Sequence, residues 1–356
     1  MLYFLIVLSL FLILAVSFFF LPSTGHLVSR REMSEYAERT PYTNGEVFTY
    51  PESWKLHLAE ENNTSSVEEN RPAIPLPVSS PDFSGGLPAT VTWLGHSSVL
   101  ISVDGRSILV DPVFSERCSP FRYVGPKRFT PSPATASDLP FLDIVLLTHD
   151  HYDHLDLATV RALSGKTSCF IVPLGLERHL IRWGISPDRI KVLSWWESTE
   201  HRGLRFSCCP ARHFSGRHLF DANRTLFCSW MIQAPSFRLF VSGDGSYGRH
   251  FREISARYGT PDLAVMECGQ FDPHWHPSHM YPEESVSAAL DLGASFALPV
   301  HWGTFPLAPH PWNDPVIRFT RQAEKDGLKV ITPLIGETAD LSHPECYAVH
   351  WWTKVQ

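Results

Sequence analysis

Near the middle of the chain an apolar run, 141–147, leads directly into Thr148-His149-Asp150-His151-Tyr152-Asp153-His154. Residues 149–154 thus carry three imidazoles and two carboxylates at the end of a predicted strand. Three later apolar runs behave alike: 204–209 leads to His213, 237–242 to Asp244, and 295–300 to His301. Four strand ends that each deliver His or Asp can aim them into a common cleft. The sheet beneath fixes such side chains, which is what a metal site requires.

Where thiolates are absent, zinc prefers imidazole nitrogen and carboxylate oxygen, and a catalytic site keeps one position open for water. In an extended loop His149 and His151 project to the same side. Asp153 and His154, adjacent where a helix begins, point elsewhere and suit a second metal. His213 completes the first set, His301 the second, and Asp244 can bridge them. The expected cofactor is a pair of Zn2+ ions, and the same nitrogen and oxygen ligands accept iron or manganese. His179, His201, His218, His250, His310, His343 and His350 fit no ligand spacing, and His274 and His276 read as rim residues.

Around these residues, short apolar runs alternate with helical patterns from residue 89 onward. Strands are expected at 91–94, 99–103, 107–110, 141–147, 168–172, 191–195, 204–209, 226–233, 237–242, 263–266, 295–300 and 329–332. Helices are expected at 157–163, 176–183, 247–258, 282–292 and 315–326. Asp104-Gly105 marks a tight hairpin. A hairpin-rich first half followed by strands alternating with helices predicts an α/β fold, two sheets covered by outer helices in a four-layer αβ/βα sandwich. No internal repeat is visible.

Residues 1–21 contain no charged side chain, which is long enough for a span and lacks the basic flank of a cleaved signal. The reading is a retained single-pass transmembrane anchor at 1–22, a linker or extended wrapping segment at 23–87, and a catalytic domain at 88–356. Arg30 and Arg31 follow the span and point to the cytoplasmic side. The seven cysteines form no CxxC pair and several sit in apolar runs, so they read as buried free thiols. A formal charge of −7 disfavours a nucleic-acid partner.

The histidine run and its downstream partners resemble the metallo-β-lactamase superfamily. Further motifs resemble its N-acyl-phosphatidylethanolamine-hydrolysing phospholipase D branch, bacterial relatives included. They are Thr92-Trp93-Leu94-Gly95-His96-Ser97, Val110-Asp111-Pro112-Val113-Phe114-Ser115, Gly125-Pro126-Lys127-Arg128-Phe129 and His301-Trp302-Gly303-Thr304-Phe305. The resemblance implies His149, His151 and His213 on one zinc, Asp153, His154 and His301 on the other, and Asp244 between them. It implies that Asp111 orients a ligand imidazole, that His279 lies near the substrate phosphate, and that His96 backs the site or is structural. Gly243-Asp244-Gly245-Ser246-Tyr247 and the stretch 269–276 depart from the branch pattern beside the substrate.

The resulting expectation is a hydrolase in which a water activated between two cations cleaves a phosphodiester, with Asp153, Asp244 and His279 as the catalytic side chains. A membrane phospholipid such as N-acyl-phosphatidylethanolamine is the expected substrate, and a homodimer is allowed. The alternatives are a lactonase or other ester hydrolase, a nucleotide phosphodiesterase, or a membrane-bound metal-binding envelope protein without turnover. Arg128 and Arg217 could contact phosphate, though a solvated surface role is the expectation for each.

Overall fold

The computed structural model describes residues 21–54 and 70–355. Within them two seven-stranded sheets form a mixed α/β sandwich. The first sheet runs β14 (Thr338–Asp340), β1 (Ala89–Trp93), β2 (Val99–Val103), β3 (Arg106–Val110), β4 (Leu142–Leu146), β5 (Thr167–Pro173) and β6 (Ile190–Leu193). The second runs β7 (Ser198–His201), β8 (Leu204–Cys209), β9 (Ser229–Gln233), β10 (Arg238–Val241), β11 (Leu263–Glu267), β12 (Phe296–Val300) and β13 (Lys329–Val330). Each sheet has three antiparallel pairs followed by three parallel ones. The two sheets therefore repeat one topology, although the sequence shows no repeat.

The strand that leads into the histidine run is anchored on both faces. Ile144 and Leu146 of β4 belong to the central core, which also holds Trp230, Leu239 and Val265 of the second sheet. Val145 and the following Leu147 belong to an outer core with Val160 and Leu163 of α2 (Leu157–Leu163). All four side chains from 144 to 147 are fully buried, and each such burial contributes about 1.5–3 kcal/mol. The carboxylate of Asp156 caps α2 by accepting the Ala158 N–H, a contribution of about 1 kcal/mol. The loop 148–155 is thus held at both ends.

At the Asp104-Gly105 hairpin between β2 and β3 both residues have positive φ, 48° and 70°, as a two-residue turn matched to strand twist demands. Among the strands, β7 and β14 were not expected. Their sequences, Ser-Thr-Glu-His and Thr-Ala-Asp, carry no apolar alternation, and pairing with β8 and β1 makes them strands.

Part of the segment read as linker or extended wrapping packs against the sandwich. It contains α1 (Arg30–Arg39), which opens on a reciprocal capping box between Ser29 and Glu32. Met33, Tyr36, Phe48 and Trp54 are buried in the main core, and the Tyr36 hydroxyl donates to Glu177 of α3 (Glu177–Arg182) at 2.7 Å. Among the described residues no helix is long and apolar enough to cross a membrane. The anchor expected at 1–22 falls almost wholly on residues 1–20, and part of the expected linker on 55–69, outside the described residues. Of the cysteines, six are buried and Cys346 is exposed, all of them free.

Candidate metal centre

Every predicted site residue stands just past a strand end or just before a helix. His149, His151, Asp153 and His154 follow β4, His213 follows β8, Asp244 follows β10 and His301 follows β12. Asp111 follows β3, and His96 follows β1. His279 precedes α4 (Pro282–Asp291). Three of them, His96, Asp111 and His301, adopt positive φ of 50°, 40° and 72°. Left-handed backbone at such residues costs about 1–2 kcal/mol each and persists only where the surroundings over-determine it.

The side chains converge. His149, His151, His213 and Asp244 place ligand atoms within 4.8 Å of one another, and so do Asp153, His154, Asp244 and His301. Asp244 belongs to both groups and also to a third, with Glu267, His279 and His301. Its Oδ2 lies 3.1 Å from His154 Nε2, 3.3 Å from His301 Nε2, 3.8 Å from His213 Nε2 and 3.9 Å from His149 Nε2. Its Oδ1 is buried without a hydrogen-bond partner among the described residues.

What lies behind the rings decides what they present in front. The Nδ1 of His154 is 2.8 Å from Asp111 Oδ2, that of His213 is 2.8 Å from the Ser278 carbonyl, and that of His301 is 3.2 Å from the Gly269 carbonyl. The Nδ1 of His149 is 3.0 Å from Thr148 Oγ1, whose own proton goes to Asp111 Oδ2 at 2.6 Å. Each partner accepts, so each Nδ1 donates, and the neutral rings turn Nε2 lone pairs inward. His154 Nε2 and His301 Nε2 then face each other at 3.1 Å. Two lone pairs at that distance repel unless a positive charge, a proton or a metal ion, lies between them. The donor set therefore fits a metal ion.

The electrostatics agree. Burial pushes His149 and His213 well below the ordinary imidazole range, aided by the neighbouring histidines. Against desolvation, the surrounding imidazoles hold Asp153 and Asp244 well below the usual carboxylate range. Again against desolvation, those carboxylates raise His154 far above its usual value and His301 to about 9. Two buried anions with this many lone pairs call for positive charge at their centre.

Asp111 reaches His154 as described, and His96 Nε2 lies 3.0 Å from Asp153 Oδ2 with its ring 4.2 Å from that of His301. The reading missed Glu267, the last residue of β11. Its Oε2 lies 3.1 Å from His279 Nδ1, and its Oε1 accepts the Gly245 N–H at 2.9 Å. The available signal was a single carboxylate closing the apolar run 263–266.

Two expectations need correction. Arg217 and Arg128 are buried, not solvated. The Arg217 guanidinium donates to the carbonyls of Asp150, Leu155 and Ser23 and lies 4.0 Å over the Tyr152 ring, so it braces the histidine loop. Arg128 donates to the Val113 carbonyl and lies over Phe305. His179, which fitted no ligand spacing, accepts the His26 N–H at 2.8 Å and ties the N-terminal segment down. His274 is exposed beside Asp272 at the cavity edge, and His276 pairs with Glu284.

The ligand atoms open onto a cavity of about 440 Å³ whose walls include Tyr152, Phe214, Trp275, His279 and Leu307. A family profile described as the beta-lactamase superfamily domain matches residues 106–302, the stretch that carries β3 through His301. The chain belongs to the metallo-β-lactamase superfamily. Its relatives in the superfamily include an uncharacterised protein of Mycobacterium tuberculosis, 44% identical over 290 residues, 80% of this chain and 77% of that protein. Another is the N-acyl-phosphatidylethanolamine-hydrolysing phospholipase D 1 of Caenorhabditis elegans, 32% identical over 81% of this chain and 88% of that protein. The chain thus falls in the branch that includes that enzyme. In fold it is similar to a metallo hydrolase from Ignicoccus hospitalis, with TM-score 0.55 at 21% identity over 70% of this chain and 97% of that one. As a metallo-β-lactamase-fold protein with this site, it is a metal-dependent hydrolase.

Proposed function

We propose that the chain is a dinuclear zinc hydrolase that cleaves the phosphodiester of a membrane phospholipid. An N-acyl-phosphatidylethanolamine would yield phosphatidic acid and an N-acylethanolamine. The observation that carries the reading is Asp244, one buried carboxylate common to two four-residue donor groups. In this reading His149, His151 and His213 hold one ion, Asp153, His154 and His301 hold the other, and Asp244 joins them. When bound, two such ions acidify a water and stabilise charge developing on phosphoryl oxygens.

The chain's own residues supply orientation and proton placement. Asp111 fixes the His154 ring, and His96 holds Asp153 through Oδ2, the oxygen that also faces His301. His279, held at Nδ1 by Glu267, leaves Nε2 for the cavity that it lines. From there it can donate a hydrogen bond to a phosphoryl or leaving-group oxygen. Phe214, Trp275 and Leu307 offer an apolar wall to a glycerolipid and limit water. The activity named for the Caenorhabditis elegans relative supports this substrate class. The uncharged run 1–21 supports a membrane anchor at 1–22, joined through 23–87 to a hydrolase domain at 88–356.

The test is one panel. The purified chain, with and without chelator, is incubated with N-acyl-phosphatidylethanolamine, an acyl lactone and bis(p-nitrophenyl) phosphate, while elemental analysis counts bound metal. Chelator-sensitive release of N-acylethanolamine by protein holding two zinc ions is the expected result. Lactone turnover alone would overturn the substrate class, and fewer than two ions per folded chain would overturn the dinuclear site.

A further inference from the structure

We propose that the cavity mouth is a bilayer-docking rim, formed by loops 117–127 and 214–222 and seated in the interfacial zone of a phospholipid leaflet. The proposal rests on the lipid-substrate reading for its purpose, but not for its geometry. Tyr123 is 77% exposed, Val124 65% and Leu219 73%. Single exposed apolar residues are ordinary on a soluble surface, whereas a group of them on loops that line a cavity marks an interaction face.

Both loops belong to the cavity. Cys118 lines it from the first, and Phe214 and Gly216 line it from the second. Both loops are also held open by polar contacts. The first is closed at its base by the bridge between Arg117 and Lys127. In the second, the Asp221 carboxylate accepts the N–H groups of Arg217 at 3.1 Å and His218 at 2.8 Å, leaving Leu219 outside the turn. The apolar tips therefore project because the chain folds them outward, not because they lack a core to enter. At the first tip the exposed Arg122 guanidinium lies 5.4 Å over the Tyr123 ring. A ring and a cation side by side suit the headgroup level of a membrane.

The occupant is indicated by where the chain enters the fold. The turn Pro22–Thr24 follows directly on the uncharged residues 1–20. Its Ser23 hydroxyl donates to the Pro120 carbonyl at 2.7 Å, and its Ser23 carbonyl accepts from Arg217 at 3.0 Å. The end of a run long enough to span a bilayer is thus fastened between the two apolar loops, beside the cavity mouth. An anchored domain with this attachment presents its cavity to the membrane. A substrate could enter without its chains crossing water.

The experiment uses the full chain in phosphatidylcholine vesicles containing doxyl-labelled lipid. An environment-sensitive fluorophore is placed at Leu219→Cys, Tyr123→Cys or the control Phe141→Cys, in a Cys346→Ser background that removes the exposed thiol. Phe141 is also exposed, but it precedes β4 and lies at the end of the sheet opposite the site. The expected result is loss of emission at 219 and 123 with none at 141. No loss at 219 and 123, or equal loss at all three positions, overturns the proposal. A blue shift without quenching also overturns it, because residues 1–20 or a second copy would then be covering the rim. The double variant Tyr123→Ser/Leu219→Ser should raise KM for vesicle-borne N-acyl-phosphatidylethanolamine about tenfold, the loss expected for one well-buried apolar side chain. Turnover of bis(p-nitrophenyl) phosphate should match the parent. An unchanged vesicle KM would count against the rim. Quenching without any lipid hydrolysis would leave the rim standing and sink the substrate reading.

Discussion

The two sheets share one topology but contribute to the site in different ways. The first sheet delivers His149, His151, Asp153 and His154 from a single loop after β4. The second delivers His213, Asp244 and His301 one at a time, from the ends of β8, β10 and β12. The two histidine-rich donor groups on either side of Asp244 nevertheless each take two residues from each sheet, whereas the third, with Glu267 and His279, comes from the second sheet alone. Neither of the first two groups forms from one half alone, so the packing of sheet on sheet is itself a condition for assembling the pair. Position also divides the labour. The first loop is braced from behind by Arg217 and Asp111, whereas the second sheet holds its rings by the backbone carbonyls of Ser278 and Gly269.

That contrast can be broken by substitution. The largest effect is expected for Asp244→Ala, which removes the carboxylate common to both groups. Activity should fall at least about 10³-fold, and elemental analysis should find both ions depleted. Retention of one ion at full affinity would show that Asp244 is not shared. Asp153→Asn, in the first sheet's loop, should lower activity about 10²–10³-fold and remove one ion only. Asp111→Asn acts through His154. It should weaken a single ion about 10–100-fold in a competition titration and leave the other as it was. Equal weakening of both would mean that the loop moves as a unit.

The smallest expected effect is that of Glu267→Gln on the second sheet. Glu267 touches no proposed ligand atom directly through its bond to His279, so metal content should stay at the parent level while kcat falls about tenfold. Burial lowers the His279 pKa, and the Glu267 carboxylate more than offsets it. Without that anion the imidazolium should deprotonate at lower pH, moving the alkaline limb of the pH–rate profile to lower pH. An unshifted profile with reduced kcat would make Glu267 structural.

The first sheet's contribution was legible because its donors are contiguous. A run of three histidines and two aspartates after an apolar strand is visible without any knowledge of neighbours. The second sheet's donors were found because each follows an apolar run, and strands that end in His or Asp stand out. Glu267 was missed because it looks like the polar end of a strand until His279 is seen against it. The helix α1 was missed although Ser29 and Glu32 spell a capping box, because its apolar residues Met33 and Tyr36 have no partner until Glu177 and the core are in place. Arg217 was misjudged for a related reason. A guanidinium is expected in water, and only three converging carbonyls make its burial tolerable.

The sequence by itself determined most of the strands, the order of the candidate donors along them, and that such nitrogen and oxygen donors suit a metal ion. Hydrophobic periodicity and ligand chemistry are local properties. Only the tertiary structure decided which donors share Asp244, which ring nitrogen each histidine presents, and that both apolar loops meet the chain's entry point at the cavity mouth. Those outcomes depend on distances between residues far apart in the chain, which the packing of the two sheets sets.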